Sequence, residues 1–340
     1  MNGIGLADHI AHAVTNHGMK LILNPTEQCN LRCKYCYESF ALHQMKTEVV
    51  NGVLALVEKR ARAGLEWLEV EFFGGEPLAA WKVVAKLSEG LSAICQHHGV
   101  RLMGGMTTNL TLLDRTRLDA LVDRGFFFFQ VTLDGPKSVH DERRTTLGAK
   151  GTFDQIWENL LLLKRSDHPV EVMLRIHFDP ATSKLLHTSG FIRDLANAFV
   201  VGDDRFSIHF NPLEPWGRAS QSGIAFFSNQ DAADDALSTL LTQSIMAGVP
   251  TRQLPQAEAM APTGESGHMV CYAARANSFV VRSDGRIAKC TVAFENEKNT
   301  VGRLLPSGEL EIDHQRHMPW LRGLISGDAE SLRCPAIGII

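Results

Sequence analysis

From Lys20 onward the chain alternates between two hydrophobic rhythms. Short apolar or period-two runs read as strands: "LILN" (21–24), "WLEVEFF" (67–73), "VRLMGGMTTN" (100–109), "FFFFQVTLDG" (126–135), "VEVMLRIHFD" (170–179) and "RFSIHFNPL" (205–213). Between them lie stretches with helical spacing: Lys46 to Ala63, Leu78 to His98, 112–125, 153–165 and Ser183 to Ala198. Strands separated by helices of this length indicate parallel βαβ crossovers. The pattern predicts an α/β fold, a partial (β/α)6 TIM-like barrel whose site lies at the carboxyl ends of its strands. After Pro215 the rhythm stops. Residues 217–268 are rich in Ser, Ala, Gln and Gly, with one helical segment near Gln230 to Met246. "ANSFVVRSDGRIAKC" (276–290) then reads as a β-hairpin turning at Asp284-Gly285. The expected division is an N-terminal extension (1–19), a barrel (20–215), a linker with a helix (216–268) and a small C-terminal hairpin extension (269–340).

Composition narrows the function. The 340 residues are 44% hydrophobic, enough for a large core. A net charge of −4 gives no footprint for nucleic acid. "GFFFFQVTLDG" is too short to span a bilayer, and the N-terminus lacks the apolar core of a signal peptide, so no membrane association is expected. Seven cysteines in a chain with no export signal indicate a reduced, cytoplasmic setting, where clustered cysteines bind metal or do redox work.

Three of the seven sit in "NPTEQCNLRCKYCYESF" (24–40), straight after the first strand. Cys33-x-x-Cys36 alone suits a redox dithiol, which has no need of Cys29. A structural zinc requires a fourth ligand, and His43 is the only close candidate. An iron–sulfur cluster normally takes four thiolates, so three on one loop leave one iron open to a small molecule.

The spacing Cys29-x3-Cys33-x2-Cys36, with Tyr35 before the last cysteine, resembles the signature of the radical S-adenosylmethionine (SAM) superfamily. The resemblance implies a 4Fe-4S cluster on Cys29, Cys33 and Cys36 whose open iron chelates SAM. Reductive cleavage then yields methionine and a 5′-deoxyadenosyl radical that abstracts hydrogen from the substrate. Further stretches follow in the family's order. "FFGGEP" places Gly74, Gly75 and Glu76 where the family contacts the methionyl amino group. "TTN" brings Thr108 and Asn109, which otherwise read as a helix cap. "VTLDGPKSVHDERR" looks like the Leu-Asp-Gly-Pro…His-Asp-x-x-Arg run of the peptide-modifying branch and selects Arg144, over Arg143, for the SAM carboxylate. On "VMLRIHF", alternation sets Met173, Arg175 and His177 on one face. The family often has Arg-x-Asn there, so Arg175 is assigned to the cofactor and His177 is a departure, either a substrate-facing donor or a satisfied core histidine. Tyr35 completes the expected cofactor contacts. Cys95 lies on the helical stripe of Val84, Leu87 and Leu91 and reads as core.

Cys271-x13-Gly285-x4-Cys290 resembles the start of the SPASM extension of radical SAM peptide maturases, which carries auxiliary iron–sulfur clusters. The family continues with a Cys-x2-Cys-x5-Cys-x3-Cys run. Here "SLRCPAIGII" follows, with Ser331 in the first position, Cys334 in the second and Ile340 in the third. The tail therefore reads as truncated or altered, with at most one auxiliary cluster on Cys271 and Cys290. Cys334 is left out of that ligand set.

The expected function is a SAM-cleaving enzyme that modifies a ribosomally made peptide by crosslink, thioether or epimerisation. The rivals are an anaerobic sulfatase-maturating enzyme that makes formylglycine, and a non-catalytic iron–sulfur or zinc scaffold. Implied partners are a peptide or protein substrate and an electron donor such as flavodoxin or ferredoxin. About twenty residues precede the first strand, too few for a fused leader-binding domain, so a separate leader-peptide-binding protein is also expected.

Overall fold

The structure is a computed structural model that describes residues 6–221, 223–254 and 270–340; the stretch 255–268 of the expected linker and the first residue of the expected extension lie outside them. Twelve strands are present among the described residues: β1 (Gly18–Thr26), β2 (Leu31–Cys33), β3 (Trp67–Gly74), β4 (Arg101–Thr108), β5 (Phe126–Thr132), β6 (Arg144–Thr146), β7 (Glu171–Phe178), β8 (Phe206–Pro212), β9 (Ser278–Val281), β10 (Arg286–Ala288), β11 (Thr300–Leu304) and β12 (Leu310–Ile312). Ten of them form one sheet in the order β12-β11-β10-β9-β1-β3-β4-β5-β7-β8. The six from β1 to β8 are parallel neighbours in chain order, as expected for successive crossovers. The fold is mixed α/β on a parallel sheet.

The helices obey the same logic. Thr47–Arg62 buries Val49, Val50, Val53, Leu56 and Val57, one apolar stripe at helical spacing, and leaves Lys59 and Arg62 to its last turn. Trp81–His98 buries Val84, Leu87, Leu91 and Cys95, so Cys95 is core, as its spacing indicates. The helix expected over Ser183 to Ala198 is instead two pieces, Pro180–Thr188 and Phe191–Leu195. Asp179 caps the first, accepting from the Ala181 and Thr182 N–H groups, with Pro180 opening the helix. Gly190, at φ 74°, breaks the run because that backbone conformation cannot continue a right-handed helix.

β9 pairs in parallel with β1, so the C-terminal hairpins prolong the barrel's own sheet. A buried ion pair fastens the join. Arg282 donates from Nε and Nη2 to the two carboxylate oxygens of Glu27, at 2.9 and 2.7 Å, and neither residue is more than 2% exposed. On the other side, the loop after β5 is pinned by His140, which is fully buried. Its Nδ1 accepts the Asp134 N–H at 3.2 Å and its Nε2 lies 3.2 Å from Thr152 Oγ1.

Two predictions follow from these buried polar groups. Arg282→Met leaves the Glu27 carboxylate buried without its partner and should cost about 3–5 kcal/mol in urea denaturation, whereas Glu27→Gln/Arg282→Met should recover most of the loss. Burial first, and then the Arg144 charge, lowers the His140 pKa from 6.5 to about 4. The unfolded chain therefore takes up a proton more readily than the fold. That part of the stability is complete above pH 6.5 and should fall, by roughly 3 kcal/mol at most, as pH drops toward 4. His140→Asn, which keeps an acceptor but does not titrate, should flatten this portion of the stability–pH curve.

Candidate active site

The cysteine loop leaves β1 at Thr26 and has little regular structure of its own. Its only strand, β2, pairs antiparallel with β6, and in that register Cys33 lies directly opposite Arg144. The Lys34 N–H extends the ladder to the Arg143 carbonyl at 2.9 Å. Asn109 Nδ2 donates to Asn30 Oδ1 at 2.9 Å and lies 3.7 Å from Cys29 Sγ, tying the loop to the end of β4. Cys29, Cys33 and Cys36 all line a cavity of about 640 Å³ at the carboxyl ends of the parallel strands. Burial pushes the thiols of Cys29 and Cys36 up to about 12 and raises that of Cys33 as well. Thiolates at these positions require a bound cationic centre to draw them down. Three thiols of one loop on the wall of one cavity are the donor set of an iron–sulfur cluster that keeps one iron free of protein ligands.

Gly74 and Gly75 also line the cavity. Gly74 has φ 103°, and a Cβ there would stand 2.4 Å from the Thr26 carbonyl oxygen; at Gly75 it would stand 2.3 Å from that of Gln28. Only glycine lets this turn lie against the cysteine loop, where the Gly75 and Glu76 N–H groups donate to Thr26 and Gln28 at 3.2 and 3.0 Å. The Glu76 side chain points away from the cavity. Its Oε1 accepts from Thr108 Oγ1 and the Leu78 N–H, and its Oε2 from the Asn109 N–H at 2.7 Å. Glu76 thus positions Thr108 and Asn109, which do line the cavity.

A charged wall faces the cysteines. Arg144 Nη1 donates to Tyr35 Oη at 2.7 Å, and Tyr35 Oη donates to Asp134 Oδ2. Asp134 Oδ1 accepts from both the backbone N–H and Nδ1 of His177, each at 3.1 Å. Burial would raise the Asp134 carboxyl, but His177 and Arg144 hold it well below the usual carboxylate range. Arg175 donates to Asn211 Oδ1 at 2.8 Å. Tyr35, Arg144, Arg175 and His177 all line the cavity, and the buried Nε groups of both arginines have no acceptor within the chain. Two guanidinium groups lining one cavity suit an anionic guest such as a carboxylate. Arg143, the alternative to Arg144, is spent on Asp179. His177 is neither of two extremes: one ring nitrogen is satisfied by Asp134, and the residue still borders the cavity. Asp134 itself was legible only as part of its motif, since nothing in the linear sequence pairs it with His177.

The C-terminal cysteines gather as well. The Cys271 N–H donates to the Leu332 carbonyl at 2.9 Å, docking the helix Ala329–Arg333 and bringing Cys334 alongside. Burial first, with the neighbouring Cys271 and Cys334 adding to it, raises Cys290 to about 11. Cys334, omitted from the expected ligand set, therefore shares a neighbourhood with Cys271 and Cys290. Its proximity comes from a tertiary contact that no linear spacing encodes. Tyr272 and Thr291, adjacent to these cysteines, line the main cavity, so the two cysteine groups flank one space.

Comparison with known proteins accords with this geometry. The family model of the radical SAM superfamily matches residues 23–182. The GTP 3′,8-cyclase of Chlorobaculum tepidum is 31% identical over 139 residues, 38% of this chain and 36% of that protein. The cysteine-type anaerobic sulfatase-maturating enzyme of Clostridium perfringens (strain ATCC 13124) is 25% identical over 207 residues, 58% of this chain and 52% of that protein. The chain thus spans about half the length, or less, of these relatives. Among solved structures, native anSMEcpe with bound AdoMet and Kp18Cys peptide has the same fold, with a TM-score of 0.67 at 19% identity, over 89% of this chain and 84% of that one. With its three cysteines, glycine turn and arginine wall inside the matched span, residues 23–182 are a radical SAM domain.

Proposed function

We propose that this protein is a SAM-cleaving maturase of a ribosomally made peptide. The observation that carries the reading is the β2–β6 pairing, which sets Cys33 opposite Arg144 on the wall of a single large cavity. Cluster donors and a carboxylate-binding guanidinium thereby face one guest. Cys29, Cys33 and Cys36 would hold the 4Fe-4S cluster that the family uses. When bound, the cluster and SAM supply one-electron cleavage of a sulfonium C–S bond and so a carbon radical able to take hydrogen from an unactivated position.

The chain's own residues bind and orient. Arg144 pairs with the SAM carboxylate, held in register by Tyr35 and Asp134. Gly74 and Gly75 offer close backbone approach for its amino group. Thr108, Asn109 and Arg175 complete the contacts, with Glu76 fixing the first two through its buried carboxylate. Burial of this wall excludes water that would otherwise quench a reactive carbon centre. Cys271 and Cys290, with Cys334, would hold one auxiliary cluster. A flavodoxin or ferredoxin would deliver the electron, in a compartment that keeps these thiols reduced.

A peptide substrate is supported by the size of the cavity and by the likeness to a maturase structure containing a peptide. The bond formed is a crosslink, a thioether or an inverted stereocentre. Formylglycine formation on a sulfatase is the second reading, favoured by the 58% of this chain that aligns with the sulfatase-maturating enzyme.

Anaerobic reconstitution, reduction with dithionite and chromatography for 5′-deoxyadenosine test the central reading. The wild-type chain should bind about four irons at the first site and release 5′-deoxyadenosine. Cys33→Ala should release none; equal release from both would sink the reading. Arg144→Lys loses the forked contact, and SAM should bind about tenfold more weakly by equilibrium dialysis, equivalent to about 1.4 kcal/mol.

A further inference from the structure

We propose that a side pocket off the main cavity receives a cationic side chain of the substrate peptide, and that Glu38 is the carboxylate that selects it. The proposal rests on the peptide reading above. The pocket has a volume of about 210 Å³ and is bordered by Tyr37, Glu38, Trp216, Phe294 and Glu295, with no lysine or arginine in its lining. Tyr37, Glu38 and Trp216 also border the main cavity, so a chain threaded past the charged wall can turn one side chain aside into this recess.

Glu38 is the reason to expect a cation. It is only 5% exposed, and its Oε1 is buried with no donor in the chain. Arg282 acts on it electrostatically but is already spent: Nε and Nη2 serve Glu27, and Nη1 donates to the Phe294 carbonyl at 3.2 Å. Glu295 borders the same recess, and no lysine or arginine does. A buried carboxylate without a donor is costly, and an ammonium or guanidinium supplies both the charge and the N–H that are missing. The walls fit such a group along its length. Trp216 and Phe294 give apolar surface for an aliphatic stem, while Glu38 waits for the head. A neutral apolar side chain would fill the same volume and leave Glu38 unsatisfied. An acidic one would bring a further carboxyl group and no donor for Glu38.

The test uses the full chain with its cluster reconstituted and SAM present. Three capped pentapeptides are titrated by calorimetry: Ac-Gly-Gly-Lys-Gly-Gly-NH2, its arginine analogue, and the isosteric norleucine analogue that lacks only the charged head. The lysine or the arginine peptide should bind at least tenfold tighter than the norleucine one, and Glu38→Gln should erase that difference. Trp216→Ala should weaken all three by a similar factor, because it removes wall and not charge. Should Glu38→Gln fail to fold by circular dichroism, the wild-type preference and the Trp216→Ala series still decide. Equal binding of the three by wild type, absence of binding, a preference that survives Glu38→Gln, or indifference to Trp216→Ala would overturn the proposal. 5′-Deoxyadenosine is measured in parallel without any peptide. Its absence counts against the SAM reading, whereas the charge preference is read from binding alone.

Discussion

The site is built on a close backbone contact between the Gly74-Gly75 turn and the cysteine loop. A loop carrying three cysteines in eight positions cannot fold on itself, because helix and sheet ladders would point the sulfurs apart. Its shape has to be imposed from outside. The turn after β3 does so on one flank, where two N–H groups reach carbonyls of the loop at a distance that admits no Cβ. β6 does so on the other, through the short ladder that sets Cys33 against Arg144. Asn109 closes the third side. Two of these supports come from the carboxyl ends of β3 and β4 and the third from the segment that follows β5, so the parallel sheet works as the jig that holds the loop.

The same economy governs the charges. Arg144 is buried, and burial disfavours its charge, yet Cys33, Tyr35 and Asp134 hold its pKa above the ordinary value. Asp134 is kept ionised by His177 and Arg144. The result is a chain of fixed dipoles and charges whose members satisfy one another except at the buried Nε groups of Arg144 and Arg175, two residues that line the cavity. A network that is complete save for what a guest would supply is preorganised: it pays little reorganisation on binding. Glu38 extends the pattern to the opposite sign at the mouth of the site, where a carboxylate in place of a guanidinium is left without its complement.

How much of this was visible beforehand follows from range. The six parallel strands and most helices are written in local periodicity, and the structure keeps them, apart from the helix that Gly190 divides. The cysteine triad, the glycine turn and Arg144 were legible because each is a short motif at a strand end. β2 and β6 were not, since three-residue strands carry too few residues for a period to show. The role of Glu76 as a buried brace, the Asp134–His177 contact and the approach of Cys334 to Cys271 and Cys290 are all tertiary. Their partners are separated by tens of residues, and no spacing rule reaches that far. Glu38 was overlooked because a lone glutamate after a cysteine motif reads as solvated until its burial is known.

The C-terminal hairpins change what kind of cavity this is. Because β9 continues the sheet from β1, the extension is held rigidly by a ladder and by the buried Glu27–Arg282 pair. Tyr272, Thr291 and Val292 from it line the same space as the cysteine loop. The cavity is therefore walled by two parts of the chain: the carboxyl ends of the parallel strands, and the extension together with the segment around Trp216. On the proposed reading, substitutions in the second wall would alter which substrate is admitted without touching Cys29, Cys33, Cys36 or Arg144. The recess at Glu38 lies on that seam, bordered by the cysteine loop on one side and the 292–296 loop on the other. On the proposed reading, selectivity placed there would be coupled to the guest site by a few residues of backbone, so a side chain seated in the recess would fix where the rest of the peptide lies against the charged wall.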